Sequence, residues 1–210
     1  MKSKLLIIFL FFTTFFTGKE CLSQPNLKLD PRNNWMIGVN VSEKGFGVNA
    51  GIFKQINYDY DFSAYLSISG VSDNREFEVY DIYGNPIVPD KENRIFLIAT
   101  NIGAQRYLFK DEIEGGFMPL IIGGITPALV ITTPYERGYF EAFKYAQVSY
   151  ALGGYIGVGM EYLQSSNIAL SFNARFLYLP VIGKDVNSLA GKPINNLGGF
   201  QLTFGLNFMK

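Results

Sequence analysis

Two charges stand where charge is costly. Glu161 and Arg175 fall within long stretches of strict apolar alternation, on the face opposite the large apolar side chains, and Asn173 shares that face. A carboxylate and a guanidinium so placed have two uses. They line a charged lumen or gate, or they belong to a polar network that satisfies an interior. A turn centred on Ser165 and Ser166 does not set the two directly opposite, so each is expected to pair with residues of other strands. The cost of desolvating a lone charge favours the network. The chain contains no histidine, which removes imidazole as base, acid, ligand or pH switch. Asp59 with Asp61, and Asp111, Glu112 and Glu114, lie in predicted turns, where solvated acids are the rule and no cleft perturbs them. The run Gly153-Gly154-Tyr155-Ile156-Gly157-Val158-Gly159 lacks the Lys-Ser/Thr ending and the following helix of a phosphate loop. Its glycines make room for large interior neighbours such as Tyr155. No catalytic residue, cofactor site or metal site is expected.

The elements that must hold these residues have period two. In 35–41 the odd positions are large and apolar, while Gly38 and Asn40 face the other way. Phe46, Val48, Ala50 and Ile52 oppose Asn49, Gly51 and Gln55; Phe62, Ala64, Leu66 and Ile68 oppose Ser63, Tyr65, Ser67 and Ser69. The C-terminal half repeats this over 152–162, 168–178 and 200–208. Two middle segments, 94–109 and 117–131, complete a set of eight predicted strands. The second is the least regular, because Pro119 and Pro127 cannot donate to a ladder.

The connections fall into two classes. Those at 57–60, 110–116 and 164–167 are short, and those at 72–93, 132–149 and 180–197 are long; the first, at 42–45, is short but falls on the long-loop side. In an up-and-down meander, alternate connections lie at the same end, so one end carries tight turns and the other carries loops. The face opposite the apolar one holds Gly, Asn, Ser, Gln and Tyr rather than the Lys, Glu and Thr of a solvated sheet. Only Lys54, Arg106, Glu161 and Arg175 bring charge into the strands. Small polar residues suit a narrow barrel interior, and an apolar exterior suits hydrocarbon. Tyr58, Tyr60, Tyr107, Phe109, Tyr135, Tyr139, Phe140 and Tyr178 gather near strand ends, as interfacial girdles do. A secreted soluble β-sandwich or lipocalin-like binding protein is the alternative that the alternation alone leaves open.

On these residues the chain resembles the small bacterial outer-membrane β-barrel proteins, eight-stranded and of the OmpX and OmpA transmembrane-domain type. The likeness covers 34–210 and ends in the amphipathic run Gly199-Phe200-Gln201-Leu202-Thr203-Phe204-Gly205-Leu206-Asn207-Phe208. The resemblance implies that Phe208 serves as the aromatic C-terminal signal read by the barrel-assembly machinery; Met209 and Lys210 follow it, a departure from the usual ending. It implies membrane lipid and lipopolysaccharide as surroundings. The enzymes built on such barrels resemble one another in using a histidine, which this chain lacks.

Composition agrees. Lys and Arg number 18 against 18 Asp and Glu, so there is no field to hold nucleic acid. Charged residues make up 17%, against about 25% for an ordinary soluble domain. The N-terminus has lysines at 2 and 4, an apolar run over 5–16, and small residues at Cys21 and Ser23. This predicts a secretory signal over 1–23, cleaved between Ser23 and Gln24, with 24–210 as the barrel domain. The expected location is the outer membrane of a Gram-negative-type bacterium. The expected function is non-enzymatic, through extracellular loops, in surface interaction, adhesion or envelope integrity. The rival function is a narrow OmpW-like transport path for small or apolar solutes. The loop at 72–93 is rich in acids and carries a turn signal at Tyr83-Gly84-Asn85-Pro86, so it is expected to project as a hairpin.

Overall fold

The computed structural model describes residues 33–110, 112–113, 116–165 and 167–209. The predicted leader with its Ser23–Gln24 boundary, Asp111, Glu114 and Ser166 lie outside the described residues. Eight long strands form the wall: β1 Asn33–Ser42, β2 Gly45–Gln55, β3 Tyr60–Val71 and β4 Asn93–Tyr107, then β5 Phe117–Pro134, β6 Gln147–Ser165, β7 Ile168–Tyr178 and β8 Gly199–Met209. Each pairs antiparallel with the next. β8 returns to β1 in register from Asn34 opposite Met209 to Ser42 opposite Gln201. The ladder therefore closes on itself, with each wall strand paired on both sides over its central span.

The alternation sorts side chains as the sequence implies. Trp35, Ile37, Val48, Ile52, Leu66, Ile156, Val158, Phe176 and Phe204 are exposed on the outer wall. Asn40, Asn49, Ser67, Asn101, Gln105, Ser171, Thr203 and Asn207 are buried inside it. Polar groups are sequestered and large apolar ones face outward, the inverse of a water-soluble sheet.

Two strands are longer than the sequence suggested. β5 runs on to Pro134 and β6 begins at Gln147, leaving only 135–146 as the connection between them. The pattern continues through this region, with Val148 and Tyr150 outside and Ser149 and Ala151 inside. Pro127 disturbs the ladder only locally. Pairing with β4 passes from Ala99–Ala128 to Ile102–Ile125, and in the gap the Thr126 hydroxyl donates to Asn101 Oδ1 at 3.0 Å. The wall is consequently taller along β4–β6. β7 meets β6 only as high as Gly154, and above it Val181–Ile182 pairs with Ala151 and Tyr150, covering the free edge of β6.

The interior is not uniformly polar, which corrects the expectation of a lumen filled by small polar groups. Near the loop end Val71, Ile95, Leu97, Val130 and Leu177 point inward and are buried. They are covered by Leu179, Val186, Ile194 and Leu197 of the connection between β7 and β8. That connection folds as a small hairpin, Val186–Leu189 against Lys192–Ile194, and tucks its apolar side chains into the mouth. The connection between β3 and β4 also folds as a hairpin, Val79–Tyr80 against Pro86–Ile87, but its tip stands clear of the mouth.

Candidate functional site

The interior is filled at three levels. At the turn end, Asp61 of β3, Gln105 and Tyr107 of β4, Glu161 of β6 and Asn207 of β8 meet across the barrel. The Tyr107 hydroxyl lies 2.9 Å from Asp61 Oδ2 and 3.0 Å from Glu161 Oε2, so its single hydrogen serves two carboxyl groups. Gln105 Nε2 donates to the Tyr107 oxygen at 2.8 Å and reaches both carboxyls at 3.3 and 3.4 Å. Asn207 Nδ2 donates to Glu161 Oε1 at 2.9 Å. Glu161 and Asp61 are each only 4% exposed. Asp61 thus departs from its expected place in a solvated turn. It has the same inward parity as Ser63 and Tyr65, and the strand carries it inside.

At mid-height Arg175 of β7 lies against two tyrosine rings that meet each other edge-on, with centres 6.5 Å apart. Its guanidinium lies 5.2 Å from the ring centres of both Tyr65 and Tyr155, and its Nε donates to Gln201 Oε1 at 2.9 Å. Two aromatic faces and one amide oxygen offset the desolvation of a buried cation. Among the described residues no carboxylate lies within ion-pair distance of Arg175. Glu161 and Arg175 therefore share the interior but belong to separate clusters. Asn173 belongs to neither: its buried Oδ1 has no hydrogen-bond partner among the described residues, and nor does Thr203 Oγ1. Both residues line a cavity of about 20 Å³ beside Met36, Tyr65, Tyr155 and Arg175. That is room for about one water molecule.

At the loop end the small hairpin is held down by the connection between β3 and β4. The Glu76 carboxylate accepts from Lys91 Nζ at 2.6 Å, from the Asp73 amide at 2.9 Å and from the Ser188 hydroxyl. Arg75 grips the Asp73 carboxylate at 2.5 and 2.8 Å and donates to the Lys192 carbonyl at 3.2 Å. Backbone bonds join Glu92 to Ser188 and Ala190 to Asp90. The Arg75 guanidinium holds Asp73 below the usual carboxylate range. Burial pushes Glu76 up, but the Asp73 amide, the Lys91 ammonium and the Ser188 hydroxyl outweigh it and leave the group lowered. Lys44 is likewise lowered, chiefly by burial, and donates to the Asn196 carbonyl on the same rim. The acids of this loop are thus partly consumed in closing the mouth. Among the described residues no group of acids is arranged to hold a metal ion.

Phe208 stands on the outer wall at the closing seam, stacked on Trp35 with ring centres 4.2 Å apart and planes 15° apart. The largest freely exposed apolar side chains are in the outer loops. Ile82, Tyr83, Tyr80 and Phe77 crown the 72–92 hairpin, Ile82 being 91% exposed, and Phe140 stands out in 135–146. At the hairpin tip Asp81 Oδ1 accepts from the Tyr83 and Asn85 amides at 2.8 Å each, and Gly84 takes a φ of +80°. This is the turn that Tyr83-Gly84-Asn85-Pro86 signalled.

Several solved structures that match this fold are bacterial outer-membrane β-barrels. Neisserial surface protein A matches with a TM-score of 0.53 at 12% identity, over 85% of this chain and 94% of its own. This is the fold of the small outer-membrane β-barrels. The N-terminal barrel domain of Pseudomonas aeruginosa OprF matches at 0.51 and 13% identity, over 85% of this chain and 97% of its own. A major outer membrane protein of Thermus thermophilus matches at 0.53 and 9% identity, over 85% of this chain and 99% of its own. No protein family and no curated protein matches the sequence.

Sequence reading missed Asp61, Gln105, Tyr107 and Asn207 as one cluster. Parity alone puts each of them inside. Their meeting depends on the diameter and stagger of the closed wall, which no local pattern encodes.

Proposed function

We propose that this chain is a non-enzymatic, non-conducting barrel of the outer membrane that acts at the cell surface through the 72–92 hairpin. The observation that carries the reading is the side chains that meet across the interior at three levels: the Asp61–Tyr107–Glu161 knot, the Arg175–Tyr65–Tyr155 cluster and the apolar plug of 179–198. The cavity beside Arg175 is about 20 Å³, too small for a solute path. The apolar outer wall supports a lipid surrounding, and the exposed Phe77, Tyr80, Ile82 and Tyr83 support a protein or envelope partner at the hairpin tip. Assembly through the C-terminal strand, with Phe208 at the seam, and export by the leader complete the reading.

Purified protein in planar bilayers is expected to give no steady channel. Deleting 186–194 is expected to leave it closed, because the Arg175 cluster and the knot lie below the plug. Replacing 77–87 by a short turn is expected to leave heat-dependent gel mobility intact while abolishing the surface or envelope phenotype. Steady conductance of the wild-type chain would replace this reading by the transport one. A hairpin deletion without effect on binding or envelope integrity would remove the role of the hairpin.

A further inference from the structure

The connection between β5 and β6 does not stand up into solvent. A helical turn, Tyr139–Ala142, passes into a 3-10 turn, Phe143–Tyr145, and this segment lies down on the outside of the barrel. Phe143 stacks on Phe96 of β4 with ring centres 5.5 Å apart, and Tyr139 meets the same ring edge-on at 6.0 Å. Phe96 has the outward parity of its strand. It pairs across to Ile131 of β5, which in turn pairs to Val148 of β6, so the segment rests on the apolar outer wall where that wall is tallest. Ala142 is buried in the contact, whereas Phe140 is 87% exposed. Phe140 meets the Tyr139 ring edge-on at 5.5 Å, and in the same connection Arg94 lies 4.7 Å from the Tyr135 ring centre and Arg137 3.9 Å from that of Tyr145.

We infer that 139–145 is a membrane-surface anchor that buries Phe140 at the boundary between headgroups and acyl chains of the leaflet on the loop side. The occupant is lipid because the patch is continuous with the lipid-facing wall. Its composition also suits such a boundary, where amphipathic aromatic rings and guanidinium groups gather: Tyr135, Tyr139 and Tyr145 stand with Arg94 and Arg137 in the same patch. The inference rests on the reading of the outer wall as lipid-facing.

The test is tryptophan quenching in the full chain reconstituted into phosphatidylcholine vesicles with or without bromine on the acyl chains. The wild-type chain reports on the wall through its single tryptophan, Trp35, which is 49% exposed there. In a Trp35→Phe background, Phe140→Trp and Ile82→Trp then report on the anchor and on the hairpin tip. Brominated chains are expected to quench Phe140→Trp several-fold more than Ile82→Trp. Equal quenching of the two overturns the inference while leaving the barrel reading intact, provided Trp35 itself is quenched. An unquenched Trp35 overturns the lipid-facing wall, and the anchor with it. Emission from Phe140→Trp that depends on protein concentration but not on bromine assigns the patch to a second copy and also overturns the inference. Folding of each variant is read from heat-dependent gel mobility, and Tyr145→Trp replaces Phe140→Trp if the latter does not fold.

Discussion

Tyr107→Phe removes one oxygen from the centre of the knot and nothing else. In the wild-type chain that hydroxyl hydrogen is shared by two carboxyl oxygens at 2.9 and 3.0 Å, and its oxygen is the closest acceptor of Gln105 Nε2, at 2.8 Å. Glu161 keeps Asn207 at 2.9 Å, but Asp61 is left with only the 3.3 Å contact from Gln105. A hydrogen bond to a charged group contributes about 1.5–3 kcal/mol, and a buried group left unsatisfied adds to the loss, so the variant is expected to lose roughly 2–3 kcal/mol. For a chain of this size that is a fall of about 4–12 °C in the unfolding midpoint. The assay is the fraction of fast-migrating barrel in SDS against temperature, with urea unfolding in lipid vesicles as the equilibrium measure. Tyr150→Phe, an exposed phenol on the outer wall, is the control and is expected to stay within about 0.5 kcal/mol. In an Asp61→Asn, Glu161→Gln background the hydroxyl meets only neutral acceptors, so its removal is expected to lose nearer 1 kcal/mol. A loss below about 0.5 kcal/mol, or an equal loss in both backgrounds, would refute the assignment of the knot to this hydroxyl.

Two further outcomes are expected. A Cβ at Gly103 would clash with the Gly123 carbonyl oxygen and stand 2.5 Å from the Tyr155 hydroxyl, so Gly103→Ala should destabilise by about 1–3 kcal/mol, with Tyr155→Phe in the same chain relieving only the second contact; unfolding of the two single variants and the double variant decides it. Asp73 and Glu76 are held below their ordinary values of 3.8 and 4.5, so the folded clasp binds protons more weakly than the open loop. Its contribution is complete above pH about 4.5 and is lost as pH falls through the lowered values. Proteolysis within 179–198 should rise in acid, and the rise should shrink in Glu76→Gln, where only Asp73 still titrates.

The wall was legible in the sequence. Period-two alternation over eight segments sets which residues face outward, because successive side chains of a strand must point to opposite faces whatever lies beyond it. The same parity put Glu161, Arg175 and Asn173 on the inner face, and it puts Asp61, read as a solvated turn acid, there with Ser63 and Tyr65. The connection lengths set which end carries loops. Partners inside were not legible. Glu161 meets Tyr107 and Asp61, and Arg175 meets Tyr65, Tyr155 and Gln201, across distances fixed by strand number and stagger in a closed ladder. The loops were the least legible. Leu179, Val186, Ile194 and Leu197 read as an ordinary loop between strands, yet they close the mouth. Phe143 belongs to the long connection at 132–149, where sequence alone leaves open whether an aromatic makes a sticky contact or an interface anchor, and it lies on the outer wall against Phe96. A loop has no period of its own, so the surface it covers is decided by which apolar area the finished barrel leaves within its reach.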